Sequence, residues 1–103
     1  MHVDLARNYQ SVALLCRRYG VARLDVFGSS ARGMDFDPRS SDFDFLVEFT
    51  PDRSLPPLHQ FFGFAESLQQ LLGRRVDLIE ARAIENPFIL AGINQSRELI
   101  YAA

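Results

Sequence analysis

No lysine occurs among the 103 residues; all eleven basic side chains are arginine. That absence excludes a lysine nucleophile and the lysine of a phosphate-binding P-loop. One cysteine, Cys16, rules out an internal disulfide and fits a reducing compartment. Its place on the apolar side of a predicted helix makes it a small core residue rather than a reactive thiol. No apolar run approaches the roughly 20 residues that a membrane span requires, and the first residues lack a signal-peptide pattern. A cytoplasmic protein with no membrane association is the expectation. Charge of one sign is scarce too: the formal net charge is −2, so no general attraction to nucleic acid follows and direct nucleic-acid binding is not expected.

What is present suits a single domain over residues 1–103, with 48% apolar and 23% charged residues. Leu5, Tyr9, Val12, Cys16 and Tyr19 recur at helical spacing and predict an amphipathic helix over 4–19. Asp4 is placed to cap its start and Gly20 to close it. Strands are predicted at 23–28, 42–49 and 75–80. A short helical turn follows Gly28, and Pro38 marks 34–41 as a loop. A helix entered at Pro56-Pro57 runs to about Leu72 with Gly73 as its stop, and Asn86-Pro87 opens a last short helix to about Asn94. Glu98 to Tyr101 has the pattern of a terminal strand. Helices and strands alternating in this way predict an α+β fold in α-β-α-β-α-β-α order.

The chemistry concentrates between Val26 and Asp44. An apolar strand meets Gly28-Ser29, and after the loop a second strand opens with Asp42-Phe43-Asp44. Alternate side chains of a strand share a face. Asp42 and Asp44 therefore point one way while Phe43, Phe45, Val47 and Phe49 point into a core. Two carboxylates on one face resist ionising together, and a hard divalent cation such as Mg²⁺ removes the repulsion. The alternative is a solvated strand face continued by Glu48; Leu46 interrupts that polar row and argues against it. In the third strand Asp77 stands among Val76, Leu78 and Ile79, an unfavourable place for a carboxylate without a partner. Were that strand beside the second, Asp77 would join the pair, and three carboxylates can hold two metal ions about 3.5–4 Å apart.

Gly28-Ser29, Ala31-Arg32-Gly33, the run from Ser41 through Val47, and Val76-Asp77-Leu78 together resemble the nucleotidyltransferase superfamily that includes DNA polymerase beta. Within it the chain is most similar to the minimal nucleotidyltransferases, the MntA-like antitoxins of HEPN/MNT toxin–antitoxin pairs. The interval from Ser29 to Asp42 is longer than is usual there, the surplus falling in the loop over 34–41. The resemblance implies a nucleotidyltransferase fold, a small mixed β-sheet flanked by helices, and Mg²⁺-dependent transfer of AMP from ATP to a hydroxyl, such as a tyrosine, of a partner HEPN-type toxin. On this chain it implies Asp42 and Asp44 as ligands of two Mg²⁺ ions and Asp77 as a ligand of the catalytic one, near the acceptor hydroxyl. Gly28 and Ser29 would hold the triphosphate and Arg32 would offset its charge; Arg32 could instead cap the turn or pair with Asp35. The 26 residues after Asp77 leave no room for an added acceptor domain, so the partner supplies that surface in a hetero-oligomer. The competing reading is a non-catalytic antitoxin that neutralises the toxin by binding alone.

Other motifs read plainly. Asp35-Phe36-Asp37 repeats the acidic spacing but precedes Pro38 and enters no strand, so it is loop. His2 and His59 have no ligand-spaced neighbours and are expected at the surface. Arg74 and Arg75 read as a solvated helix end. Phe61, Phe62 and Phe64 cannot all face one side of a helix, so at least one is expected to be exposed to a partner.

Overall fold

The computed structural model describes residues 3–28, 43–51 and 54–103. Among them the order is α1 (Val3–Arg7), α2 (Tyr9–Arg18), β1 (Val21–Phe27), β2 (Phe43–Phe49), α3 (Pro57–Leu72), β3 (Val76–Glu80), a 3-10 turn (Ala81–Ala83), α4 (Pro87–Ser96) and β4 (Glu98–Ala102). The expected Asp-x-Asp strand and the strand bearing Asp77 are thus β2 and β3. The expected turn after Gly28 and the loop over 34–41 lie outside the described residues.

The strands form one mixed sheet in the order β3-β2-β1-β4. β1 pairs antiparallel with β2 and with β4, while β2 and β3 are parallel. Parallel neighbours need a crossover rather than a hairpin, and α3 provides it between β2 and β3. Leu24 and Val26 of β1 and Phe43, Phe45 and Val47 of β2 present one apolar face, fully buried under Leu5, Val12, Cys16, Phe64 and Leu68 of the helices. Burial pushes the Cys16 thiol up to about 12, opposed only weakly by the charge of Arg17, so it acts as a core atom and not a nucleophile.

The helices sit close because one glycine lets them. A Cβ on Gly63, in the middle of α3, would come within 2.8 Å of Tyr19 Cε1. Tyr19 closes the same contact with its hydroxyl 3.1 Å from Ser67 Oγ and its carbonyl accepting from Gln60 Nε2 at 2.8 Å. Gly73 ends α3 in the left-handed region at φ 65°, as its position in the sequence implies. The Asn86 side chain accepts from Phe88 N–H at 2.9 Å and caps α4, with Pro87 in its first turn.

Three expectations are corrected. The helix over 4–19 is two helices, broken at Asn8, whose side-chain amide donates to the Asp4 carbonyl at 2.8 Å; asparagine competes with helical bonding in this way. Asp4 consequently lies inside α1 instead of capping it, and pairs with Arg74 at 3.7 Å, so Arg74 is not merely solvated. The terminal strand expected at Glu98 to Tyr101 is β4, which pairs with β1 on the side away from β2. Of the three phenylalanines, Phe64 is buried, Phe61 is partly covered and Phe62 is 63% exposed.

Candidate active site

β2 and β3 run side by side with Phe43 opposite Val76, Asp44 opposite Asp77 and Phe45 opposite Leu78. Residues paired across a ladder project from the same face. Asp44 and Asp77 therefore stand together, on the face away from Phe43 and Phe45. Both line an open depression of about 540 Å³ whose apolar walls include Phe27, Phe62 and Ile79. Asp44 is half-buried and Asp77 exposed. Asp42, the remaining carboxylate, lies outside the described residues, as do Ser29 and Arg32.

The β1 end of the site is set by Gly28. It follows Phe27, which pairs with Asp44, and turns the chain at φ 73°, a conformation that favours glycine. A Cβ at this position would lie 3.0 Å from Asp44 Oδ2. The backbone thus passes directly against the carboxylate, an approach that a larger residue would obstruct. The Gly28 N–H donates to Ser96 Oγ at 3.0 Å, so the last residue of α4 fastens the turn.

Asp44 and Asp77 are carboxylates at paired positions of adjacent strands, whose backbones run about 4.8 Å apart. Their hard oxygen donors suit Mg²⁺, and the pair fits such an ion. The apolar walls beside them would strengthen the attraction by excluding water. A phosphate chain could lie where the Gly28 turn meets the carboxylates, and an acceptor could approach from the open side of β3.

Sequence reasoning missed what holds this end of the sheet in place. Asp25, two residues before Phe27 on the same face, has no solvent exposure. Its Oδ1 accepts from Arg23 Nε at 2.9 Å and its Oδ2 from Arg23 at 3.2 Å and from Arg97 Nε at 2.6 Å. Burial works to raise the Asp25 carboxyl, but the hydrogen bonds and charges of Arg23 and Arg97 outweigh it and hold the group below its ordinary value. In return, the hydrogen bond to Asp25 raises Arg23. Arg97 also donates to Asn94 Oδ1 at 2.9 Å, binding the end of α4 to β1. The signal was there: an acid between Leu24 and Val26, in the same setting that singled out Asp77.

The nucleotidyltransferase domain model matches residues 10–100, nearly the whole chain. The chain belongs to the nucleotidyltransferase domain family. Protein adenylyltransferase MntA of Thermococcus cleftensis is 37% identical over 89 residues, 84% of this chain and 80% of that protein. A solved structure provisionally described as a minimal nucleotidyltransferase superposes with a TM-score of 0.75 at 32% identity, covering 95% of both chains. The MNT antitoxin structure from a complex with the tri-AMPylated HEPN toxin of Shewanella oneidensis gives a TM-score of 0.66, over 95% of this chain and 72% of that one. At 17% identity that likeness is one of fold. This nucleotidyltransferase is therefore an enzyme of nucleotidyl transfer with the small mixed sheet expected of the family.

Proposed function

We propose that this nucleotidyltransferase is a cytoplasmic antitoxin that transfers AMP from ATP to a hydroxyl, best a tyrosine's, of a HEPN-type toxin partner and so silences it. The juxtaposition of Asp44 and Asp77 beside the Gly28 turn is the observation that supports the reading most directly. The names of its relatives support the protein acceptor. In this reading Asp42 and Asp44 hold two Mg²⁺ ions and Asp77 one of them. When bound, the ions neutralise phosphate charge. Gly28, Ser29 and Arg32 receive the triphosphate.

The acceptor oxygen attacks the α-phosphorus while the bond from that phosphorus to the pyrophosphate oxygen breaks. Pyrophosphate leaves with the electron pair, the hydroxyl proton passes to Asp77, and AMP is esterified to the partner. Rate comes from positioning and from charge stabilisation rather than from a covalent intermediate on the enzyme.

The test is incubation with labelled ATP, Mg²⁺ and the product of any adjacent HEPN-type gene. Label should move to the partner with the wild type and fall by about 10²-fold or more with Asp42→Ala, Asp44→Ala or Asp77→Ala. Neutralisation of the toxin that persists in all three variants, with no label moved by the wild type, would establish binding alone.

A further inference from the structure

The depression holding Asp44 and Asp77 does not end at β3. A second hollow of about 470 Å³ adjoins it, walled by Leu58, Phe61, Phe62, Leu78 and Ile79, with Glu80 also in its lining. The two share Phe61, Phe62, Leu78 and Ile79. Leu58 and Phe62, one helical turn apart on α3, are 73% and 63% exposed. A connected apolar strip of this kind on a small chain marks a binding surface more often than a solvated one.

We infer that the groove between α3 and β3 seats the acceptor segment of the partner protein: a short extended stretch with an apolar side chain against Phe62 and Ile79 and a basic residue against Glu80. The inference rests on the transfer reading above and specifies its acceptor. Charge selects this occupant. Among the described residues that line the second hollow, Glu80 is the one charged side chain and none is basic. A segment bearing Arg or Lys is favoured there over an acidic one.

Calorimetric titration of the whole HEPN-type partner into the wild type, Leu58→Glu, Phe62→Glu and Glu80→Arg tests this, with labelled AMP transfer and binding of a fluorescent ATP analogue measured alongside. All three side chains are at or near the surface, so a melting temperature close to the wild type's checks folding. Partner affinity should weaken about tenfold or more in Phe62→Glu and Leu58→Glu and severalfold in Glu80→Arg, while the ATP analogue binds Leu58→Glu and Glu80→Arg within twofold of the wild type. Phe88→Glu, on α4 and 85% exposed, should leave partner affinity unchanged. Unaltered affinity in Phe62→Glu and Leu58→Glu, or equal weakening in Phe88→Glu, overturns the assignment. So does a wild-type homodimer that both groove variants dissolve, since a second copy would then be the occupant. A partner that binds the wild type but receives no AMP refutes the transfer reading alone, and the titrations still judge the groove.

Discussion

Asp25 carries a full negative charge in a place without solvent, and the site's rigidity follows from how that charge is met. Arg23 and Arg97 approach from β1 and from the residue after α4, at 2.9 and 2.6 Å. A buried carboxylate so held loses several kcal/mol if its partners go, because the desolvation penalty remains. Asp25→Asn should destabilise the fold by about 3 kcal/mol near neutral pH, measured by urea unfolding. The pH dependence has a definite sign. The folded-state value lies below the ordinary one, so the carboxylate's contribution is complete above the ordinary value of 3.8 and is lost as pH falls through the lower folded value. The gap between wild type and Asp25→Asn should accordingly close in that acid window and stay constant above it. A gap that widened on acidification would contradict the assignment. Gly28 makes the complementary case. Gly28→Ala adds a Cβ 3.0 Å from Asp44 Oδ2 at φ 73°. A left-handed non-glycine residue costs about 1–2 kcal/mol, which unfolding should register, and the displaced carboxylate should lower transfer by more than that loss of stability accounts for.

At the scale of elements, the strands were easier to read than the ties between them. Period-two alternation exposed Asp44 against Phe43 and Phe45, and Asp77 against Val76 and Leu78, because strand geometry leaves no other arrangement. That β3 lies beside β2 was a condition the sequence could state but not decide; the parallel register decides it. The break at Asn8 was hidden because the apolar spacing runs straight through it, while the local bond to the Asp4 carbonyl ends α1. Ser96 was beyond reach altogether, since the Gly28 N–H that it receives lies 68 positions away. This bond ties the end of α4 to the proposed nucleotide site. Ser96→Ala should reduce stability by about 1 kcal/mol and raise KM for ATP several-fold with a smaller change in kcat, and Ser96→Thr should restore both. Equal loss in kcat with KM unmoved would assign the hydroxyl a merely structural part.

For the molecule as a whole, the order β3-β2-β1-β4 places Asp44 and Asp77 on the two strands at one side of the sheet and β4 at the other. The end of the sequence is therefore far from the chemistry yet indispensable to the strand that leads into it. Ile100 is buried, Ala103 N–H donates to the Ala22 carbonyl at 2.8 Å, and Arg97 completes the Asp25 cluster. Burying a side chain such as Ile100 contributes about 1.5–3 kcal/mol, and removing one partner of a buried ion pair costs about 3–5 kcal/mol. Their sum approaches the whole stability of a domain this size, roughly 5–15 kcal/mol. Deletion of residues 97–103 should thus abolish or severely weaken the cooperative thermal transition seen by circular dichroism, even though every proposed catalytic and nucleotide-binding residue is retained. β1 would also be left with an unpaired edge prone to self-association, so the shortened chain should aggregate on heating. A truncated protein melting within a few degrees of the full chain would show that β2, β3 and the helices hold the carboxylate pair without help from β4.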